Sequence, residues 1–207
     1  MTELVALTKE VLGAFFLGGL LLGIITQRTH FCTMGAISDV VNLGDWTRAR
    51  QWLCAMGVAM MGFAALSDLG LIDASKTLYA STRLMWLSTL VGGLMFGYGM
   101  VIASGCGSKT LVRIGGGNLK SVVVFVVMGV SAFATLKGIT AVWRVSTVDT
   151  VFINMPAGAS LHLLGIPGLG YILASALLLW VLRHSDFWTI DNLLASLGIG
   201  GLVVALW

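Results

Sequence analysis

Apolar residues run along this chain in blocks of roughly twenty, the length that a membrane-crossing helix needs. Six blocks stand out: 8–26, 50–69, 84–104, 119–137, 168–183 and 190–207. Each predicts a transmembrane helix, the fifth a short one. Residues 151–166 predict a partial or interfacial segment. Two stretches, 28–48 and 105–118, are too short and polar to span and too apolar for ordinary loops. Segments 70–83 and 138–150 carry Asp73, Lys76, Arg83, Trp143, Arg144 and Asp149, and read as connectors at the membrane surface. The N-terminal run has Glu3 and Glu10 and no small-x-small cleavage site, so it reads as a retained first span and not a signal peptide.

The blocks repeat. "GGLLLGIITQRTHFC" (18–32) matches "GGLMFGYGMVIASGC" (92–106) at an offset of 74 residues, pairing Gly18 with Gly92, Gly19 with Gly93, Gly23 with Gly97 and Cys32 with Cys106. A short segment follows each cysteine, and then a second span. Each repeat therefore reads as long helix, cysteine, short helix, helix. The repeats cover about 8–69 and 84–137; residues 138–207 add a connector and two further spans. Transporters are often built from such repeats, with discontinuous helices near the substrate. Irregular backbone at that depth is tolerated only where protein or water covers it. The expected fold is an all-α integral membrane protein of about six transmembrane helices and two short re-entrant helices.

Composition agrees. Charged residues make up 10% of the chain and hydrophobic ones 57%, against roughly 25% charged in a soluble domain. The partner implied is the lipid bilayer. The formal net charge of +3 is spread between apolar spans, so no nucleic-acid partner is implied. The three cysteines form no CxxC pair, and their odd number argues against a disulfide framework. His30 beside Cys32 does not make a metal site, and no metal or other cofactor is expected.

Cys32 and Cys106 are the candidate substrate-binding thiols. Each precedes a short helix, whose N-terminus presents free N–H groups and a positive dipole end suited to an anion. The same field favours thiolate. A thiol donates a weak hydrogen bond, and its sulfur is soft and polarizable. Such a pair suits an anionic sulfur compound. Arg28, Lys109 and Arg113 lie near the two cysteines and are candidates for drawing an anion to the mouth. Asp39 is expected to pair with a neighbouring arginine. Cys54 has no repeat partner and reads as helix packing, as does the Met-rich "AMGVAMMG". His162 and His184 read as interfacial. "RIGGGN" (113–118) lacks the phosphate-loop pattern. No Ser-His-Asp, paired-carboxylate or redox motif stands out, so the chain is not expected to be an enzyme.

The stretches "GIITQRTHFCTMGAISD" and "GGLMFGYGMVIASGCGSKTLVRIGGGNLKS" resemble the YeeE/YedE family of sulfur-transport membrane proteins, over about residues 12–137. The resemblance implies a multi-pass protein of the bacterial inner membrane, with short inward-pointing helices forming an hourglass. It implies a permease for thiosulfate or a related sulfur anion, with Cys32 and Cys106 passing the intact ion by thiol-to-sulfur hydrogen bonds. The family carries a further Gly-Cys element in a second half, which this sequence lacks after Cys106. The chain is thus expected to stop short of that half. A separate half-subunit, a second copy or a missing C-terminal half would then cover its inner surface. The alternatives are a selenium-linked member of the family, an accessory membrane subunit, and a persulfide-forming sulfur carrier or acceptor.

Overall fold

The computed structural model describes residues 2–73, 83–154 and 168–207. The chain divides into two compact units, Met1–Ile72 with Gly170–Trp207, and Asp73–Leu169.

In the first unit, helix α1 (Thr2–Thr29) has 28 residues, a length of about 42 Å and more than the roughly 30 Å hydrocarbon core. A short helix α2 (Thr33–Ser38) follows. It widens into a π-helical turn (Asp39–Leu43) that ends at Gly44, whose φ of 70° glycine adopts at little cost. Helix α3 (Thr47–Asp68) then runs for 22 residues. The Asp45 carboxylate starts it by accepting from the Thr47 amide at 2.9 Å and the Thr47 hydroxyl at 2.6 Å. Those two bonds hold the Asp45 carboxyl below its ordinary pKa.

Two further helices complete this unit, α8 (Leu169–Leu182) and α9 (Ile190–Ala205). Phe31, Ala55, Ala195 and Ile199 form one buried cluster, joined by Leu22, Ile25 and Trp52. Cys54, Val181 and Phe187 form a second. Close approach of backbones replaces the hydrophobic drive that lipid removes. Gly200 shows this: a β-carbon there would stand 2.8 Å from the Ala55 carbonyl oxygen.

In the second unit, strand β1 (Arg83–Leu84) pairs antiparallel with β2 (Ile153–Asn154), Arg83 opposite Asn154. Between them lie α4 (Trp86–Ile102), α5 (Gly107–Gly115), α6 (Leu119–Lys137) and α7 (Ile139–Thr147). The Asn118 side chain caps α6 by accepting from the Lys120 amide at 3.1 Å.

All six apolar blocks are helical. Among the described residues, four helical stretches are long and apolar enough to cross a membrane: Val5–Leu43, Thr47–Asp68, Trp86–Gly115 and Leu119–Lys137. The chain is an all-α membrane protein. The last two apolar helices, α8 and α9, have 14 and 16 residues. One expectation gains detail and one changes. Within the connector 138–150, helix α7 fills most of the length. Ile139, Val142 and Trp143 recur at helical spacing. The Thr140 hydroxyl donates to the Ala134 carbonyl at 2.7 Å, closing the end of α6. Also, Arg28 and Thr29 belong to α1, and Thr47 and Arg48 to α3, so the segment between these spans is shorter than 28–48. Of the segment expected at 151–166, residues 151–154 are described and hold β2; the rest, with His162, lies outside the described residues, as does Lys76.

Candidate functional site

Helix α1 does not stop at a glycine. It stops because His30 turns into the left-handed region, φ 51°. The next amide, Phe31, then bonds back to the Thr26 carbonyl at 3.3 Å, the six-to-one closure of a helix C-terminus. Cys32 follows in extended conformation, φ −151° and ψ 125°, as the N-cap of α2. Its carbonyl accepts from Ala36 at 2.9 Å, and its Sγ accepts from the Gly35 amide at 3.5 Å. The thiol is buried, 5% exposed. Phe31 anchors this turn by stacking on Trp52 of α3 with ring centroids 4.5 Å apart.

Seventy-four residues later the same backbone path returns. Ser104 is left-handed, φ 56°. Gly105 bonds back to the Met100 carbonyl at 3.1 Å, and Thr110 to the Cys106 carbonyl at 3.0 Å. Cys106 is the N-cap of α5, φ −78° and ψ 169°. Its Sγ lies 3.1 Å from the Ser108 hydroxyl, and it too is buried, 6% exposed. In both turns a sulfur stands at the N-terminal end of a helix, and at Cys32 the Gly35 amide donates to it. Such an end carries partial positive charge, and the sulfur offers a soft contact.

The expected cations are placed differently from one another. Arg28, in the last turn of α1, reaches Asp191 of α9 at 3.4 Å, with the side chains 65% and 60% exposed. A pair so exposed contributes about 0–1 kcal/mol. Lys109 is exposed in the first turn of α5, and its aliphatic stem lies against the bare Cα of Gly105. Arg113 donates to the Ser104 carbonyl at 3.1 Å. It thus ties the end of α5 to the turn that presents Cys106. Asp39 pairs with Arg48 at 3.3 Å, as expected for the acid of that segment. Cys54 is 2% exposed among Val181, Phe187 and their neighbours.

Sequence reasoning passed over three residues here. Arg48 approaches α2 so closely that one terminal nitrogen is 2.8 Å from where a Gly35 β-carbon would stand. Gln51 and Asn192, both buried, join α3 to α9. The only trace of the first in the sequence is a glycine three residues after the cysteine.

Known proteins are similar to this sequence. The profile of the family described as sulphur transport matches residues 28–198, a stretch that holds both cysteine turns. Over 115 residues, 55% of this chain, the sequence is 35% identical to the thiosulfate transporter TsuA of Escherichia coli (strain K12), covering 31% of that protein. Over 125 residues, 60% of the chain, it is 30% identical to the thiosulfate transporter TsuA of Spirochaeta thermophila, covering 36% of it. The probable transporter YedE of Escherichia coli (strain K12) is 28% identical over 112 residues and is covered to 26%. The chain thus aligns with about a third of the two TsuA proteins. With the family profile running through both cysteine turns, the chain belongs to the sulphur transport family of YeeE/YedE membrane proteins.

Proposed function

We propose that this chain forms part of a membrane permease for thiosulfate or a closely related sulfur anion, in which the thiols of Cys32 and Cys106 pass the intact ion. The observation that carries the reading is the twofold occurrence of one local design. In each copy a left-handed residue ends a long apolar helix, and a buried cysteine caps the short helix that follows. A lone buried cysteine is usually packing. Two at matched repeat positions, each at a helix N-terminus, call for a shared role. Thiosulfate has a soft terminal sulfur and charged oxygens. A thiol donates weakly to the sulfur, and the helix amides and nearby cations compensate the charge. No bond to the anion is made or broken, so the ion emerges unchanged.

In this reading α2 and α5 are re-entrant within a bacterial inner membrane. Lys109 and Arg28 draw the anion toward the turns, and Arg113 holds the Cys106 turn in shape. The names of the TsuA relatives support the choice of substrate. The test is uptake of labelled thiosulfate by the native transporter in cells with no other thiosulfate route. Cys32→Ala and Cys106→Ala are expected to abolish uptake at normal membrane abundance. Undiminished uptake by either variant overturns the thiol role, and no uptake by the wild type overturns the permease.

A further inference from the structure

We infer that Arg48, 16 residues beyond Cys32, is the side chain that holds the charged oxygens of the anion at the Cys32 turn, with Asp39 as its internal competitor. The inference rests on the transport reading above and adds a positioning and specificity residue to it.

Three contacts support it. Arg48 lies in the first turn of α3 and reaches back over α2. Its terminal nitrogen is 2.8 Å, and the Cys32 β-carbon 3.6 Å, from the single point where a Gly35 β-carbon would stand. The guanidinium and the cysteine therefore flank the same patch of bare backbone. That patch is the Gly35 whose amide donates to the Cys32 sulfur at 3.5 Å. Third, the same terminal nitrogen of Arg48 is 3.3 Å from Asp39, and the Arg48 side chain is 38% exposed against 18% for Asp39. A guanidinium has five N–H donors in a planar fork. One carboxylate contact leaves donors for another acceptor.

The chemistry follows from the two ends of the ion. The thiol and the Gly35 backbone present a soft, weakly polar contact for sulfur. The guanidinium beside them presents a hard, forked contact for oxygens. Asp39 carries the same sign of charge as the anion and shares Arg48 with it, so it weakens anion binding while it keeps the guanidinium in place. Proximity in sequence points to Arg28 for this task, four residues before Cys32. In the fold Arg28 is drawn to Asp191 of α9.

Glycine at 35 gives a second handle. A methyl group there would meet the Arg48 nitrogen and push the guanidinium off the turn without removing its charge. The experiment measures KM and maximal rate of labelled thiosulfate uptake, in cells lacking other routes and at matched abundance. Arg48→Ala and Gly35→Ala are each expected to raise KM about tenfold, the loss of one charge-assisted contact, with the maximal rate largely kept. Arg48→Lys should fall between them and the wild type, because the charge stays and the fork goes. Asp39→Asn should lower KM. An ion pair that only supports the fold would make Asp39→Asn and Arg48→Ala fail alike, so that result overturns the inference. An unchanged KM in Arg48→Ala and Gly35→Ala overturns it too, as does a KM rise found in Arg28→Ala but in neither of them. Wild-type uptake with unchanged variants removes this inference alone; absence of wild-type uptake removes the transport reading and this inference with it.

Discussion

Gln51 donates its side-chain amide to the Asn192 side-chain oxygen Oδ1 at 2.6 Å, between helices α3 and α9 and with both residues buried. The bond joins α3 to α9 at a buried point, where polar side chains are costly to leave unmatched. Replacing either one removes this bond from the other. Gln51→Leu or Asn192→Leu is expected to destabilise the protein by about 1–3 kcal/mol, the cost of removing one partner of a buried hydrogen bond. The double variant should lose less than the sum, because the bond the two share is lost only once. Thermal unfolding in detergent of the two singles and the double checks this; strictly additive losses would show that the two side chains do not act as a pair.

Ser104 stands in the left-handed region at φ 56° with an exposed side chain. A β-carbon in that conformation costs roughly 1–2 kcal/mol. Ser104→Gly should therefore leave stability unchanged or raise it, and Ser104→Val should lower it, since branching worsens the clash. The pair of melting temperatures decides the matter. A stability loss in Ser104→Gly would mean that the backbone there is not strained.

Cys54 fills a buried position between Val181 and Phe187. Cys54→Ala removes one sulfur from a packed site, which should cost on the order of 1 kcal/mol as a small cavity. Uptake per folded molecule should remain near that of the wild type. Comparing thiosulfate uptake with abundance in the membrane separates these effects. A loss of rate at full abundance would place Cys54 in the transport path.

Asp45 is held below its ordinary pKa by two bonds from Thr47. A carboxylate whose folded pKa is depressed stabilises the fold at pH above its unfolded value, and that contribution is lost as pH falls through the folded value. The stability difference between the wild type and Asp45→Ala should be present at neutral pH. It should shrink as the pH drops below 3.8, the ordinary value for this group. Unfolding of both proteins along an acid series provides the check, and a difference that grows toward acid would contradict the assignment.

Much of this molecule is written locally. Runs of apolar residues specify helices because each buries its own backbone bonds and needs no partner to do so. The offset between Cys32 and Cys106 is also a property of the string. It marked two turns whose shared path, His30 with Ser104 and Cys32 with Cys106, lies within a few residues of chain. The helix α7 is legible in principle, since Ile139, Val142 and Trp143 have helical spacing, although its nine residues are too few for a span. What only the tertiary structure decided is which side chains meet. Arg28 finds Asp191, 163 residues away. Gln51 finds Asn192 across 141. Arg48, well separated from Cys32 in sequence, lies over Gly35 while Arg113 turns to the Ser104 carbonyl. A helix period tells which face of a helix is apolar, and it is silent about the neighbour that covers that face. Long flexible cations settle only once the helices have packed, because the available acceptors are set by backbone and carboxylate groups from distant parts of the chain.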